Sequence, residues 1–149
     1  MKTMQRREAF TLIEVLIVVV IMAILAAAVI PQFTDSTKDA KASTVKFNLH
    51  TLRSQIQLYR THHGGAMPSG TLAELLASTD SSGTQGTGAN FPYGPYLREV
   101  PLNPVSNART VKVITNDPAQ AADVTGSGGW LYNTTTGNIW IDNSTYYKE

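Results

Sequence analysis

Val15 to Ile30 is an unbroken run of 16 apolar residues, VLIVVVIMAILAAAVI, and no other feature of the chain limits its fold so severely. Extended back to Phe10, the segment would span about 31 Å as a helix, enough for the hydrocarbon core of a bilayer. It holds 19 apolar residues out of 21. The other 128 positions carry 44, about 34%, which is lean for a domain that must fill its core unaided. Lys2, Arg6 and Arg7 precede the run, so the positive-inside bias keeps the N-terminus cytoplasmic and sends the C-terminal part across. Three readings fit: a permanent anchor, a conventional signal peptide, and a short leader attached to a segment that stays. Ala26-Ala27-Ala28 has the small-residue form that signal peptidase accepts, and cleavage after Ala28 would release a soluble secreted or periplasmic binding domain.

Glu14 weighs against that second reading. A charge at the centre of a membrane helix costs roughly 2.5–3.5 kcal/mol on insertion scales, and such residues usually mark function. Near the end of the run the cost is smaller, yet a cleaved apolar segment gains nothing from it.

The string Arg6-Arg7-Glu8-Ala9-Phe10-Thr11-Leu12-Ile13-Glu14-Val15-Leu16 resembles the class III leader junction of the type IV pilin-like family, and most of all its type II secretion major pseudopilins. In that family prepilin peptidase removes a short basic leader on the cytoplasmic face, and the new N-terminal phenylalanine is N-methylated. The resemblance implies cleavage between Ala9 and Phe10 and methylation of Phe10. It assigns Glu14 to the family's glutamate at the fifth mature position. Pro31 falls at the family's proline and implies a helix kink. The family normally has glycine before the cut, and this chain has Ala9. Leader removal leaves 9 basic and 10 acidic residues, so the formal charge of +1 becomes −1. Pairing supplies a physical reason for Glu14: stacked subunits would bring its carboxylate to the amine of a neighbour's Phe10. Two charges costly in a low-dielectric bundle then compensate one another and set the axial register. The alternative is a glutamate that only snorkels to the headgroups.

Beyond Pro31 the chain turns polar, and no Gly or Pro follows until His63. Ala42, Val45, Leu49, Leu52, Ile56 and Tyr59 recur at spacings of 3 and 4, one apolar stripe on a helix. Gly64-Gly65 stops it, with His62 and His63 in the last turn beside the free carbonyls. Adjacent helical residues point about 100° apart, so these histidines chelate poorly and read as a helix end. A helix from Phe10 to His63 is expected, with its second half serving as a spine for the rest.

In the outer part, Thr71-Leu72-Ala73-Glu74 has the capping-box form and predicts a two-turn helix. Ser81 to Gly88 is a flexible loop without the lysine of a phosphate loop. Pro101 and Pro104 keep their segment out of a central strand. Arg109 to Thr115 reads as a strand, and Gly129–Asn133 with Asn138–Asp142 as a hairpin about Thr134-Thr135-Thr136-Gly137. The fold class expected is α+β: a long N-terminal helix, membrane-spanning then amphipathic, packed on a small C-terminal antiparallel sheet, the pilin-like roll. The domains would be a leader at 1–9, an assembly helix at 10–31, a spine helix at 32–63 and a periplasmic head at 64–149. Trp130, Trp140, Tyr96 and Tyr132 are expected in its core. The stretch from Gly94 to Pro104, with GPYL leading to a proline-bounded turn, is similar to major pseudopilins as well. Asn133 and Asn143 open sequences of glycosylation form, read as incidental.

The chain has no cysteine, which excludes a disulfide scaffold, a cysteine metal centre and a thiol nucleophile. Near-neutral charge argues against nucleic acid as a partner. Histidine occurs only at 50, 62 and 63, with no nucleophile–base grouping in reach, so an enzyme is not expected. No cofactor is expected either. Major pseudopilins often bind calcium, but Asp117, Asp123 and Asp142 are scattered here and form no calcium-loop pattern; a lone site at Asp117/Asp123 is the weaker alternative. The resemblance implies a structural filament subunit, of a secretion pseudopilus or a surface pilus. Its partners would be copies of itself, minor pseudopilins, prepilin peptidase, an inner-membrane assembly platform and the lipid bilayer. Its place would be the bacterial inner membrane, N-terminus in the cytoplasm, and then a filament.

Overall fold

The computed structural model describes residues 10–149, and these form two units, one through Asp39 and one comprising Ala40–Glu149. Helix α1, Leu12–His62, begins in the first and ends in the second. In the first unit nothing covers the apolar side chains. Leu12 is 84% exposed and even Val29, the least exposed of the large ones, is 46% exposed. The helix is long and apolar enough to cross a membrane. By composition alone such a surface is costly in water, at about 25 cal/mol per Å² of apolar area.

The second unit is built on the stripe read from the sequence. Val45, Leu49, Leu52, Ile56 and Tyr59 are all buried on one face of α1, while Ala42 at the stripe's start is half-buried. Three short strands form the sheet: β1 Val111–Val113, β2 Trp130–Tyr132 and β3 Ile139–Ile141, in the order β1-β2-β3. Side chains alternate across a strand, so Trp130, Tyr132, Ile139 and Ile141 face the helix stripe as one core. Leu131 and Trp140 point the other way, and they too are buried, against Ile114 and Ala119 with Val124 and Tyr147 alongside. The sheet is therefore covered on both faces. Arg53 reaches from α1 to β3, its Nε and one terminal nitrogen donating to the Ile139 carbonyl at 3.3 and 3.1 Å. Trp130 Nε1 donates to Pro101 O at 2.9 Å and the Tyr132 hydroxyl to Pro68 O at 3.1 Å, so both large aromatics bury their apolar bodies with their polar atoms satisfied.

The hairpin is as expected: Trp130 pairs with Ile141 and Tyr132 with Ile139, antiparallel. Asn133 makes the turn. Its Oδ1 accepts from Thr135 N at 2.9 Å and Thr136 N at 3.1 Å, and its Nδ2 donates to Thr115 O at 3.1 Å. Its amide is thus a structural fastener. Gly137 closes the turn at φ +76°, a left-handed conformation that glycine adopts without steric cost.

Two expectations need correction. The sheet is mixed rather than antiparallel, because β1 joins β2 in parallel, Val111 beside Trp130 and Val113 beside Tyr132. The sixteen residues between them are long enough for the crossover that parallel pairing requires. The same crossover supplies Ile114 and Ala119 to cover the far face. Residues 71–76 form only a three-residue 3-10 turn, Ala73–Leu75, entered through Leu72 at φ 57° with no side-chain cap. Leu72 and Leu75 are both fully buried. Glu74 instead accepts from Ser69 N and Oγ at 3.0 and 2.7 Å. The Leu75 carbonyl is taken by Tyr96 N and Leu97 N, both at 2.9 Å, which ends the turn.

Gly129 lies where chain crosses chain. A Cβ there would stand 2.8 Å from Ala108 O and 2.9 Å from Thr110 O, both backbone. Gly129→Ala is expected to cost about 1–3 kcal/mol, the usual range for overpacking. Its check is the urea midpoint of the purified chain, and an unchanged midpoint would contradict so close an approach.

Candidate functional site

The residues singled out at the start of the apolar segment meet in one local structure. The Thr11 hydroxyl accepts from Glu14 N at 3.3 Å, while Glu14 Oε2 accepts from Thr11 N at 2.8 Å and from the Thr11 hydroxyl at 2.7 Å. Thr11 is the residue before α1 and Glu14 lies in its first turn, so this is a reciprocal capping box. It satisfies two polar groups that would otherwise be bare at the end of an apolar helix, and it sets the carboxylate at the end where the helix dipole favours negative charge. The sequence held this signal as Thr-x-x-Glu, the pattern also present at residues 71–74. At 11–14 the glutamate reads in the sequence as a charge in an apolar run, which hides its part as a cap.

Phe10, 86% exposed, precedes the box. Among the described residues Glu14 Oε1 accepts no hydrogen bond, so one oxygen of the carboxylate is left for an outside donor. Chemically, the site is an uncovered apolar helix whose first turn displays a self-capped carboxylate with one free acceptor beside an exposed phenylalanine. It can insert into a nonpolar phase and receive a cation there. Ala9 and the rest of the expected leader at 1–9 lie outside the described residues. Helix α1 runs on through Pro31.

The late acids do not converge. Asp123 accepts from Gln120 N at 2.8 Å and from Asn116 Nδ2 at 3.1 and 3.0 Å, bonds that hold its carboxyl below the usual range. Asp117 Oδ2 accepts from Asn138 Nδ2 at 2.8 Å. Asp142, fully buried, accepts from Thr125 N at 2.6 Å, Gly126 N and Gly128 N at 3.0 Å, and the Thr125 hydroxyl. Each carboxylate ties down its own loop. Among the described residues no three His, Asp or Glu side chains are grouped to hold a metal ion.

The prokaryotic N-terminal methylation motif matches residues 4–30, which include the whole apolar run and the residues just before it. The chain is 31% identical over 106 residues to type II secretion system core protein G of Pseudomonas aeruginosa, covering 70% of this chain and 73% of that protein. It belongs to that family. Type II secretion system core protein G of Klebsiella pneumoniae is 29% identical over 101 residues, 68% of this chain and 71% of the relative. A fimbrial protein of Neisseria meningitidis is 36% identical over 83 residues, 56% of this chain and 48% of that protein. No solved structure matches the chain significantly. Within this pseudopilin family the chain keeps the long helix packed on a small sheet, and the capped glutamate stands inside the matched motif.

Proposed function

We propose that this pseudopilin is a structural filament subunit that acts mechanically, polymerising through the first half of α1 to drive protein export. It is inserted as a single-span precursor with its N-terminus in the cytoplasm. Prepilin peptidase then cuts between Ala9 and Phe10, and Phe10 is N-methylated. Subunits leave the bilayer by exchanging lipid contacts for contacts with one another, and the Ala40–Glu149 heads stay outside, in the periplasm. The observation that carries this reading is the uncovered apolar helix with Glu14 at its start. An apolar surface of that length has two comfortable settings, lipid or other copies of itself.

Glu14 links the two settings. In the bilayer its box with Thr11 lowers the cost of a helix end. In the filament the amine of a neighbour's Phe10 approaches the free Oε1, and the pair fixes the axial step between subunits. Pro31 removes one helical hydrogen bond where the apolar segment ends and bends the helix there. The remaining partners are minor pseudopilins and an inner-membrane assembly platform.

Sequencing the N-terminus of the mature protein separates this reading from a conventionally secreted domain. Methylated Phe10 is the expected first residue. Val29 would mean that Ala28 was the cleavage site and that the apolar helix was discarded, which ends the filament reading.

A further inference from the structure

Helix α1 carries a second periodic face, which the head does not cover. Thr44, Phe47, Thr51, Ser54, Leu58 and Thr61 follow one another at spacings of 3, 4, 3, 4 and 3. Phe47 comes two residues after the buried Val45, so it stands about 200° around the helix from the core stripe. Burial agrees with that placement. Phe47 is 70% and Leu58 42% exposed, Thr44, Ser54 and Thr61 are exposed, and Thr51 is half-buried. In Ala40–Glu149 no large apolar side chain is more exposed than Phe47.

Two features suit this face to a dry contact. It holds no charge, although Lys46, Arg53 and Arg60 all fall within its length. Lys46 and Arg53 turn instead toward Glu149: Lys46 Nζ is 2.6 Å from Glu149 Oε1, and Arg53 donates to Glu149 O at 2.7 Å. The threonines of the face are also satisfied within the helix. The hydroxyls of Thr44, Thr51 and Thr61 donate to the carbonyls of Ala40, Phe47 and Gln57, four residues back, at 2.8, 3.1 and 2.9 Å. Covering them therefore strands no donor, a loss that otherwise costs about 1–3 kcal/mol for each buried group.

The spacing selects the partner. Side chains that recur every 3.5 positions on average form a seam complementary to another α-helix. Lipid is a poor cover, because the exposed Asp35, Lys38, Asp39 and Lys41 stand between this seam and the apolar run, and so many charges do not enter hydrocarbon. Traced back through the sequence at the same spacing, the seam passes Ala40, Thr37, Phe33 and Ile30 and enters the apolar run without meeting a charge. It thus continues the surface through which the filament subunit assembles, and the helix that meets that surface is α1 of another copy. Six positions, four of them bearing hydroxyls, would pair two helices only weakly by themselves. As an extension of an apolar contact they act on chains already held together.

We propose that the outward seam of α1 over residues 44–61, anchored on Phe47 and Leu58, packs against α1 of a second copy of this chain, so that the helix contact between subunits extends past the apolar run. The inference rests on the filament reading and adds to it a contact in the second half of α1.

The chain has no cysteine, so single introduced thiols report on the seam directly. Thr51→Cys and Leu58→Cys on the seam, and Gln57→Cys on the exposed flank, are made in the full chain and labelled with a water-soluble maleimide, once as purified filaments and once as subunits dispersed in detergent. The seam thiols should label about tenfold or more slowly in the filament than in detergent, and the flank thiol should slow by less. Equal rates at the seam in the two states, or equal protection of all three thiols, would overturn the proposal and leave the filament reading intact. An unmodified chain that makes no filaments removes the filament reading, and this contact with it. Should the seam variants fail to assemble while Gln57→Cys assembles, the urea midpoint of the head decides. An unchanged midpoint means that the subunit contact itself was lost, as expected, whereas a lowered one means that the face is not free and overturns the proposal.

Discussion

Glu14→Gln leaves the chain in the membrane and abolishes its assembly into filaments. Glutamine keeps a carbonyl that can accept from Thr11, as glutamine does in capping boxes, so helix entry and insertion are retained. What it loses is the charge that would meet a neighbour's amine. Removing one partner of a buried ion pair costs about 3–5 kcal/mol because the other is left uncompensated. At 1.4 kcal/mol per decade that is at least two orders of magnitude in the association constant of each contact. The check is a pairing of two measurements on the same cells, membrane fractionation of the subunit and electron microscopy of sheared filaments. Glu14→Ala, which also removes the cap, should show the same loss of filaments. If Glu14→Gln assembled normally while Glu14→Ala did not, the role of Glu14 would be capping and the charge pairing would be wrong.

Asp142→Asn should destabilise the head by about 3 kcal/mol, near the upper end for a buried polar group deprived of its partners. The carboxylate takes three backbone N–H groups and one hydroxyl from residues 125–128. Asparagine turns an amide donor toward some of those donors. Burial by itself raises the Asp142 pKa, and the bonds from the Thr125 hydroxyl and from the amides of Gly126, Thr125 and Gly128 outweigh it, leaving the carboxyl below its ordinary value. A lowered folded pKa contributes stability that is fully present above the unfolded value, about 3.9. It is lost as pH falls from there through the folded one. Urea midpoints of the two proteins at neutral pH should differ clearly, and the gap should narrow in acid below about pH 4. A gap that is absent at neutral pH, or that widens in acid, would contradict this role for Asp142.

Both sites depend on short patterns, and the contrast between them indicates what a sequence makes legible. Thr-x-x-Glu occurs at 11–14 and at 71–74. The first makes the box because no neighbouring contact competes for those residues. The second does not: Glu74 accepts from Ser69 N and Oγ and not from Thr71, and Leu72 takes a left-handed φ where a helix would begin. Asp142 could be seen as the acid after a strand. Its burial could not, since the loop that covers it arrives from 14 to 17 residues earlier.

The membrane-length run, the N-terminal methylation motif around it, the 3–4 stripe from Val45 to Tyr59 and the hairpin about Gly137 were determined by the sequence alone. Each is a local periodicity or a turn chemistry that acts over a few residues and needs no distant partner. The tertiary structure alone decided the direction of β1, the covering of the sheet's second face and the buried seat of Asp142. These depend on segments tens of residues apart competing for the same space and the same hydrogen-bond donors, and which segment wins is set by packing and by the need to satisfy every buried polar group.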